Sequence, residues 1–182
     1  MAPYVGNQRK TKGDPYDFYA TDPLAVKLLL EQENFTDTVW ECACGKGHIV
    51  TALVEHGHWV IATDIVDRGC GCVKDFFGHK DPIRIDIITN PPYNKAQEFV
   101  EHALEIAQDG VKIAMFLKLT FLEGKKRKRL FESSPPRTVY VLSSRLDCSR
   151  TGNFDDCSHA VSYAWFVWEK GYKGETTIKW IN

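Results

Sequence analysis

The residues that indicate chemistry most directly are the consecutive Asn90, Pro91, Pro92 and Tyr93, which follow an apolar run at 83–89. Two adjacent prolines fix φ and cannot donate hydrogen bonds to a neighbouring strand, so a strand must end there. The Asn90 side-chain oxygen and the Pro91 carbonyl can then accept hydrogen bonds from one planar amino group, and Tyr93 offers a flat face for stacking. A strand that ends in a proline-rich turn is the alternative. We predict that these four residues form a catalytic site that orients an amino group.

A glycine-containing segment lies further towards the N-terminus, between a predicted strand and a predicted helix. It reads Glu-Cys-Ala-Cys-Gly-Lys-Gly-His over residues 41–48. Gly45 and Gly47 allow a sharp turn and a close approach of the backbone to a ligand. A dinucleotide-binding segment would have a third glycine where Val50 stands, so the pattern favours a ligand without a pyrophosphate. The predicted ligand-binding residues of this segment are Glu41, Cys42, Ala43, Gly45 and Gly47.

An acidic residue, Asp64, ends the next predicted strand and is followed by Ile65. A carboxylate at this position has the two oxygens needed to accept hydrogen bonds from both hydroxyls of a ribose. A solvated surface charge is the alternative for an acid at a strand end. We include Asp64 and Ile65 among the predicted cofactor-binding residues.

In this order, the segments resemble the S-adenosylmethionine-dependent DNA adenine N6-methyltransferases, especially the short phage or prophage type, over about residues 17–122. The resemblance implies that Glu41 faces the positively charged methionine end of S-adenosylmethionine, and that Asp75 and Phe76 bind its adenine. Residues 18–23 resemble the segment that closes over the methionine moiety in that family, which adds Tyr19 and Thr21. For these two residues, packing and helix capping are the alternative. Asn90 is expected to contact the cofactor as well as the substrate.

The resemblance also implies a mechanism, in which the target base is flipped out of the stack and the nitrogen attacks the methyl group directly. Members of the family usually carry a separate target-recognition domain. Here only fourteen residues separate Asp75 from Asn90, and a short tail follows the catalytic half. We therefore expect slight sequence specificity, or specificity that comes from loops or from an additional subunit.

Apolar strands alternate with helical segments, which predicts an α/β class I methyltransferase fold, Rossmann-like, with a doubly wound and mainly parallel sheet. The chain of 182 residues suits one domain. We predict a flexible arm at 1–16 and a single catalytic domain at 17–182, without a separate target-recognition domain. The predicted strands are 38–43, 59–64, 83–90, 112–117, 138–143, 162–169 and 176–181, the last two joined as an antiparallel hairpin. Helices are predicted from Asp22-Pro23 to about 33, and at 47–56 and 94–108, with a loop at 65–81.

The formal net charge of −1 excludes a polycation, so a nucleic-acid contact must come from a local patch. Five consecutive cations provide one, and they are the predicted phosphate contacts: Lys125, Lys126, Arg127, Lys128 and Arg129. A solvated helix face is the alternative. The favoured partner is DNA.

The state of the six cysteines and the distribution of apolar residues bear on where in the cell the protein is located. The sequence contains no run of about 18 apolar residues, so we expect no transmembrane helix. The first residues lack the apolar segment that is typical of a signal peptide. We therefore predict a cytoplasmic protein with reduced thiols and no metal. A metal site that includes Cys70 and Cys72 remains an alternative.

The Asn-Pro-Pro-Tyr motif does not distinguish between substrates that present a planar amino group. RNA amino-methyltransferases and protein glutamine methyltransferases remain alternatives to the DNA enzyme. A non-catalytic binding module that keeps the fold is an alternative of a different class. The recognition sequence and the oligomeric state do not follow from the sequence.

Overall fold

The structure is a computed structural model that describes residues 16–144, 146, 148–149, 152–154 and 161–182. The described helices are α1 Pro23–Leu30, α2 His48–Glu55, α3 Ala96–Ile106 and α4 Lys128–Ser133. The strands are β1 Ala20–Thr21, β2 Thr38–Glu41, β3 Trp59–Asp64, β4 Cys72–Val73, β5 Asp86–Thr89, β6 Lys112–Lys118, β7 Thr138–Leu142, β8 Cys148–Ser149, β9 Tyr163–Glu169 and β10 Thr177–Ile181. The predicted arm at 1–16 lies outside the described residues except for Tyr16.

Eight of these strands form one sheet in the order β10-β7-β9-β6-β5-β2-β3-β4. The strands from β6 through β5, β2 and β3 to β4 are parallel. Strand β9 runs antiparallel between β6 and β7. The predicted α/β fold with a mainly parallel sheet and an antiparallel element is confirmed. Because parallel strands end at the same edge, the residues after β2, β3 and β5 come together there.

The predicted pairing of the last two strands is wrong in one respect. Strand β7 lies between β9 and β10, and β10 pairs with β7 in parallel, so the antiparallel neighbours are β7 and β9. The reason is burial. Residues Tyr163–Trp168 of β9 are all buried, as expected for a strand with neighbours on both sides, whereas β10 is exposed at four of its five residues and suits the edge. The connection at 170–176 needs to cross only two strand spacings, about 10 Å.

The helices cover the two faces of the sheet. Helices α1 and α2 pack on one face with Phe116 of β6, and α3 and α4 pack on the other face with Ile113 and Met115. Successive residues of β6 thus enter different clusters, because side chains alternate along a strand. Among the described residues, no helix is both long enough and apolar enough to span a membrane.

Three local features differ from the prediction. The predicted strand at 83–90 is regular only at Asp86–Thr89, because Ile83 instead forms a bridge with Ala107, after α3. The predicted loop at 65–81 contains β4 and a 3-10 helix, Phe76–Gly78. Strands β1 and β8, which were not predicted, pair antiparallel and join segments far apart in the sequence. Strands of only two residues are too short to show a periodic pattern in the sequence.

Candidate active site

A cavity of about 240 Å³ opens at the edge of the sheet where β2, β3 and β5 end. Many of the predicted site residues line it: Tyr19, Cys42, Ala43, Asp64, Ile65, Asp75, Phe76, Asn90, Pro91 and Pro92. A smaller adjoining cavity is lined by Thr21 and Glu41 and shares Tyr19, Ala43 and Asn90 with the first. Gly45, Gly47 and Tyr93 line neither cavity. The structure therefore brings most of the predicted cofactor and catalytic residues around one space.

Glu41, the last residue of β2, is fully buried. Its Oε1 accepts hydrogen bonds from the Ala43 backbone N–H at 3.0 Å and from the Thr89 hydroxyl at 2.5 Å. Its Oε2 is buried and has no hydrogen-bond partner in the described part of the chain. Burial raises the pKa of this carboxyl from 4.5 to about 8. A buried carboxyl with a spare oxygen is a strong site for a cationic group, which would favour its ionised form.

Asp64, the last residue of β3, bonds to the loop after β2 and to the turn after β3. Its Oδ2 accepts a hydrogen bond from the Gly45 N–H at 2.8 Å, and its Oδ1 accepts one from the Val66 N–H at 2.9 Å. Each carboxylate oxygen has two lone pairs, so both can still accept a hydroxyl. The carboxylate lines the cavity and is 8 % exposed. Its position is consistent with the predicted contact to a diol.

The two glycines of the loop serve the packing of the protein itself. Gly45 has a φ of +54°, and a Cβ there would lie 2.2 Å from the Phe18 ring. Gly47 has a φ of +85°, and a Cβ there would lie 2.7 Å from the Cys70 Sγ. Gly45 thus makes room for Phe18, which forms part of the cavity wall.

The other end of the cavity is aromatic. Phe76 is buried and stacks on Phe99 with a centroid distance of 4.9 Å, and Phe77 contacts Phe99 edge-on at 5.0 Å. All three rings line the cavity. Asp75 lies beside them, exposed, and accepts a hydrogen bond from the Phe77 N–H at 3.0 Å. A flat ring bearing an amino group fits such a wall, because the rings provide stacking and the carboxylate an acceptor. Sequence reasoning identified neither Phe77 nor Phe99 as a site residue.

Asn90 follows β5 and has an asymmetric environment. Its Nδ2 donates hydrogen bonds to the Tyr19 carbonyl at 3.2 Å and to the Thr21 hydroxyl at 2.9 Å, and lies 3.5 Å from the Cys148 Sγ. Its Oδ1 is buried without a partner among the described residues. Buried polar atoms are almost always hydrogen-bonded, so this unpaired oxygen is a candidate acceptor for a hydrogen bond from a ligand.

Tyr93 lies beside the cavity, in a short 3-10 helix at Tyr93–Lys95. Its hydroxyl is 3.0 Å from the Cys148 Sγ, and its ring centroid lies 5.6 Å from that of Tyr19. The Lys118 ammonium lies 4.7 Å from the centroid of the Tyr93 ring. Burial raises the pKa of the Tyr93 hydroxyl well above its usual value of 10, so it stays protonated. Stacking of a substrate on this ring remains a prediction.

Two of the five predicted phosphate contacts, Arg127 and Lys128, have partners within the protein. The Arg127 side chain donates hydrogen bonds to the backbone carbonyls of Thr120, Phe121 and Glu123. These bonds stabilise the segment that directly precedes Arg127. Lys128 forms an exposed ion pair with Glu132 at 3.5 Å. The exposed cations that remain are Lys125, Lys126 and Arg129. Phosphate binding stays a prediction, and these three residues are its better candidates.

Two cations that sequence reasoning missed line the main cavity. Arg68 lies 4.7 Å over the Phe18 ring, and Lys95 lies 5.7 Å over the Phe77 ring. Lys95 lies two residues after Tyr93, and this closeness to the predicted catalytic motif could have indicated that it is a site residue. For metals, no group of three or more potential ligands occurs in the part of the chain that the structure describes. The Cys44 thiol instead donates a hydrogen bond to the Cys70 carbonyl at 3.2 Å.

No protein-family model and no curated protein matches this sequence. Solved structures do match. A putative class I S-adenosylmethionine-dependent methyltransferase from Listeria monocytogenes has a TM-score of 0.56 at 13% identity, over 86% of this chain and 62% of that one. The type I restriction enzyme EcoKI M protein has a TM-score of 0.62 at 15% identity, over 86% and 44%. A predicted O-methyltransferase from Agrobacterium tumefaciens has a TM-score of 0.60 at 11% identity, over 87% and 85%.

At these identities the likeness concerns the fold. The chain spans about 62% of the Listeria protein and less than half of the M protein. The predicted class I methyltransferase fold is therefore confirmed, while the methylated group differs among proteins that share it. The chemistry of this chain has to be inferred from its own site.

Proposed function

We propose that this chain is an S-adenosylmethionine-dependent methyltransferase that methylates an exocyclic amino group, with adenine N6 in DNA as the favoured substrate. The observation that carries the proposal is the buried and unpaired Oδ1 of Asn90 at the end of β5. Asn90 precedes two prolines and lines the cavity. Such an oxygen suits a planar amino group, which has two donors and is neutral.

The residues of the cavity fit the proposed cofactor. The unpaired Glu41 Oε2 is placed to take the cationic methionine end, because a positive charge would compensate a buried carboxylate. Asp64 would accept hydrogen bonds from the ribose hydroxyls. Phe76 and Phe77 would flank the adenine, and Asp75 would accept a hydrogen bond from its amino group. Glu41, Asp64, Asp75 and Phe76 thus have the cofactor roles that the sequence and the resemblance indicate. S-adenosylmethionine supplies a methyl group on sulfur that is open to attack by a nucleophile.

In the proposed reaction, Asn90 and the Pro91 carbonyl accept the two hydrogens of the target amino group. This grip points the nitrogen lone pair toward the methyl carbon and raises the electron density on nitrogen. A nitrogen–carbon bond then forms as the carbon–sulfur bond breaks, and the surplus proton leaves the nitrogen for water. Most of the rate enhancement would come from proximity and orientation. Tyr93 is proposed to contact the plane of the substrate.

Exposed cations and a likeness in fold favour DNA as the substrate. The exposed Lys125, Lys126 and Arg129 follow β6, and cations attract phosphates regardless of sequence. The likeness to a restriction enzyme M protein provides a precedent in fold. Sequence specificity is expected to be slight, or to come from loops or from an additional subunit. RNA or a protein glutamine would meet the same chemical requirement.

The test is to incubate the purified protein with methyl-labelled S-adenosylmethionine and, separately, unmethylated duplex DNA, single-stranded DNA, RNA and a bacterial protein extract. Label that digests to N6-methyladenine in DNA would support the proposal. Label on RNA or protein would keep the mechanism and replace the substrate. A protein that does not bind S-adenosylmethionine would instead be a non-catalytic module, which would contradict the proposal.

The matched variant is Asn90→Ala. We expect it to keep its fold, while its turnover falls by about two to three orders of magnitude. The loss is expected because one of the two acceptors for the amino group is removed. Turnover equal to that of the wild type would show that Asn90 does not hold the substrate.

A further inference from the structure

The orientation of the Asn90 amide is determined by its neighbours. A backbone carbonyl can only accept hydrogen bonds, so the Asn90 atom 3.2 Å from the Tyr19 carbonyl must be the nitrogen. The Thr21 hydroxyl takes a second hydrogen bond from the same nitrogen at 2.9 Å, which is the shorter of the two. Turning the amide over would place Oδ1 against the Tyr19 carbonyl and lose that bond, because two acceptors would face each other. The Thr21 hydroxyl could then donate to Oδ1, so the Tyr19 carbonyl sets which way round the amide lies.

The position of Thr21 depends on the unpredicted pairing of two short strands. Thr21 of β1 lies opposite Cys148 of β8, and Thr21 is only 2 % exposed. The Cys148 Sγ lies 3.5 Å from the Asn90 nitrogen and 3.0 Å from the Tyr93 hydroxyl. The paired strands therefore hold two groups against the nitrogen side of Asn90, on the side away from its unpaired oxygen.

We infer that Thr21 is a positioning residue for the methyl-transfer reaction. Its hydroxyl accepts a hydrogen bond from the Asn90 nitrogen and, together with the Tyr19 carbonyl, holds the amide with Oδ1 directed to the place where the target amino group must be held. The inference rests on the proposed function, and it assigns Thr21 a role different from the cofactor contact that the resemblance implies. Truncating the hydroxyl would let the amide rotate, and small misplacements of a catalytic group can cost large factors in rate.

The test compares Thr21→Val, which keeps the shape and removes the acceptor, with Thr21→Ser, which keeps the acceptor. We expect Thr21→Val to lower kcat on unmethylated DNA by about ten- to a hundredfold. The dissociation constant for S-adenosylmethionine, measured by calorimetry, should stay within about twofold. Thr21→Ser should recover most of the activity. In an Asn90→Ala background, Thr21→Val should cause no further loss, because the group that it positions is gone.

A second readout does not depend on activity. The side-chain amide resonances of Asn90 are those that disappear from the ¹⁵N–¹H spectrum of Asn90→Ala. They should shift, and their protons should exchange faster, in Thr21→Val but not in Thr21→Ser. An unchanged kcat with unmoved Asn90 resonances would overturn the inference. A weakened cofactor affinity at normal kcat would overturn it in favour of a cofactor contact.

The two proposals can fail separately. If the wild type methylates none of the substrates, the proposed function fails whatever the variants do. If the wild type is active and Thr21→Val matches it, the positioning role fails and the proposed function stands. Thermal unfolding of each variant checks that a loss of kcat is not a loss of fold.

Discussion

At the scale of single residues, the site contains two buried polar oxygens without partners in the described structure. They are Oδ1 of Asn90 and Oε2 of Glu41. An unpaired buried polar atom destabilises the folded state, so its presence at the end of a strand, beside a cavity, indicates a ligand rather than a packing requirement. Glu41 shows the electrostatic consequence, since burial raises its pKa to about 8.

This pKa predicts how cofactor binding depends on pH. Below about pH 8 the free protein holds Glu41 mostly protonated, and a cationic ligand would have to displace that proton. We expect the affinity for S-adenosylmethionine to rise from pH 6 to pH 8 and to level off above it. Calorimetry in buffers of different ionisation enthalpy should show proton release. In Glu41→Gln, binding should be weaker and nearly independent of pH. Equal pH dependence in both proteins would contradict the role of Glu41.

Stability should change in the opposite sense. A folded-state pKa raised above the unfolded value of 4.5 means that the contribution of Glu41 is full below that pH and is lost as the pH rises to about 8. Without ligand, Glu41→Gln should therefore be more stable than the wild type at pH 8 and similar to it near pH 4.5. Urea unfolding at the two pH values measures this difference.

At the scale of elements, the cavity is built where the loop after β2 meets the segment before β1. Phe18 packs over Gly45, and the Gly45 N–H is bonded to Asp64 at the end of β3. The glycine is required twice, because its φ of +54° is unfavourable for other residues and because a Cβ would overlap the Phe18 ring. The loop, the preceding segment and β3 are thus coupled through one residue.

We predict that Gly45→Ala displaces Phe18 and perturbs the cavity. The matched control is Gly57→Ala, because Gly57 has a φ of +88° but nothing within 4 Å of its added Cβ. Both variants should lose about 1 kcal/mol from backbone strain. Only Gly45→Ala should lose more, by about 1–2 kcal/mol, and should also bind S-adenosylmethionine more weakly. Urea unfolding and calorimetry measure the two effects. Equal losses in both variants would show that Phe18 moves away without cost.

At the scale of the whole molecule, a buried carboxylate joins the helical layer to the sheet. Glu33, after α1, is 6 % exposed and accepts hydrogen bonds from the Tyr140 hydroxyl at 2.6 Å, from the Lys112 ammonium at 3.0 Å and from the Arg137 guanidinium. Burial alone would raise its pKa, but the three hydrogen bonds outweigh burial, and the pKa is lowered from 4.5. Burial, together with the hydrogen bond to the same carboxylate, raises the pKa of Tyr140 to about 12.

A lowered carboxyl pKa predicts sensitivity to acid. The stability that Glu33 provides is full above pH 4.5 and is lost as the pH falls through its lower folded-state pKa. We expect Glu33→Gln to cost about 2–3 kcal/mol at pH 7, because Lys112 and Arg137 lose the buried carboxylate and, within the described residues, keep only the Asn34 carbonyl and the Glu169 carboxylate, respectively. The control Glu132→Gln removes only the exposed pair with Lys128 and should cost less than about 0.5 kcal/mol. Urea unfolding at pH 7 and pH 3.5 tests this, and a Glu33→Gln variant as stable as the control would be inconsistent with it.

Local signals determined much of the architecture in advance. The strand Trp59–Asp64 has the predicted bounds, the helix after Asp22 begins at Pro23, and Asn90 directly follows the end of β5. These features depend on neighbours a few residues apart: an apolar run, a capping side chain, a proline that cannot donate. Fold class and the placement of most predicted residues around one cavity followed, because the ends of parallel strands meet at one edge.

Tertiary structure alone decided what depends on contacts between distant segments. The pairing of β1 with β8 brings Thr21 and Cys148 to the Asn90 nitrogen, and the insertion of β7 between β9 and β10 replaces the simple hairpin. Phe18 over Gly45 and Phe77 beside Phe99 became cavity walls in the same way. Periodicity and turn chemistry carry no information about such partners. The sequence therefore determined which groups could do the chemistry, and the three-dimensional packing determined in which direction they point.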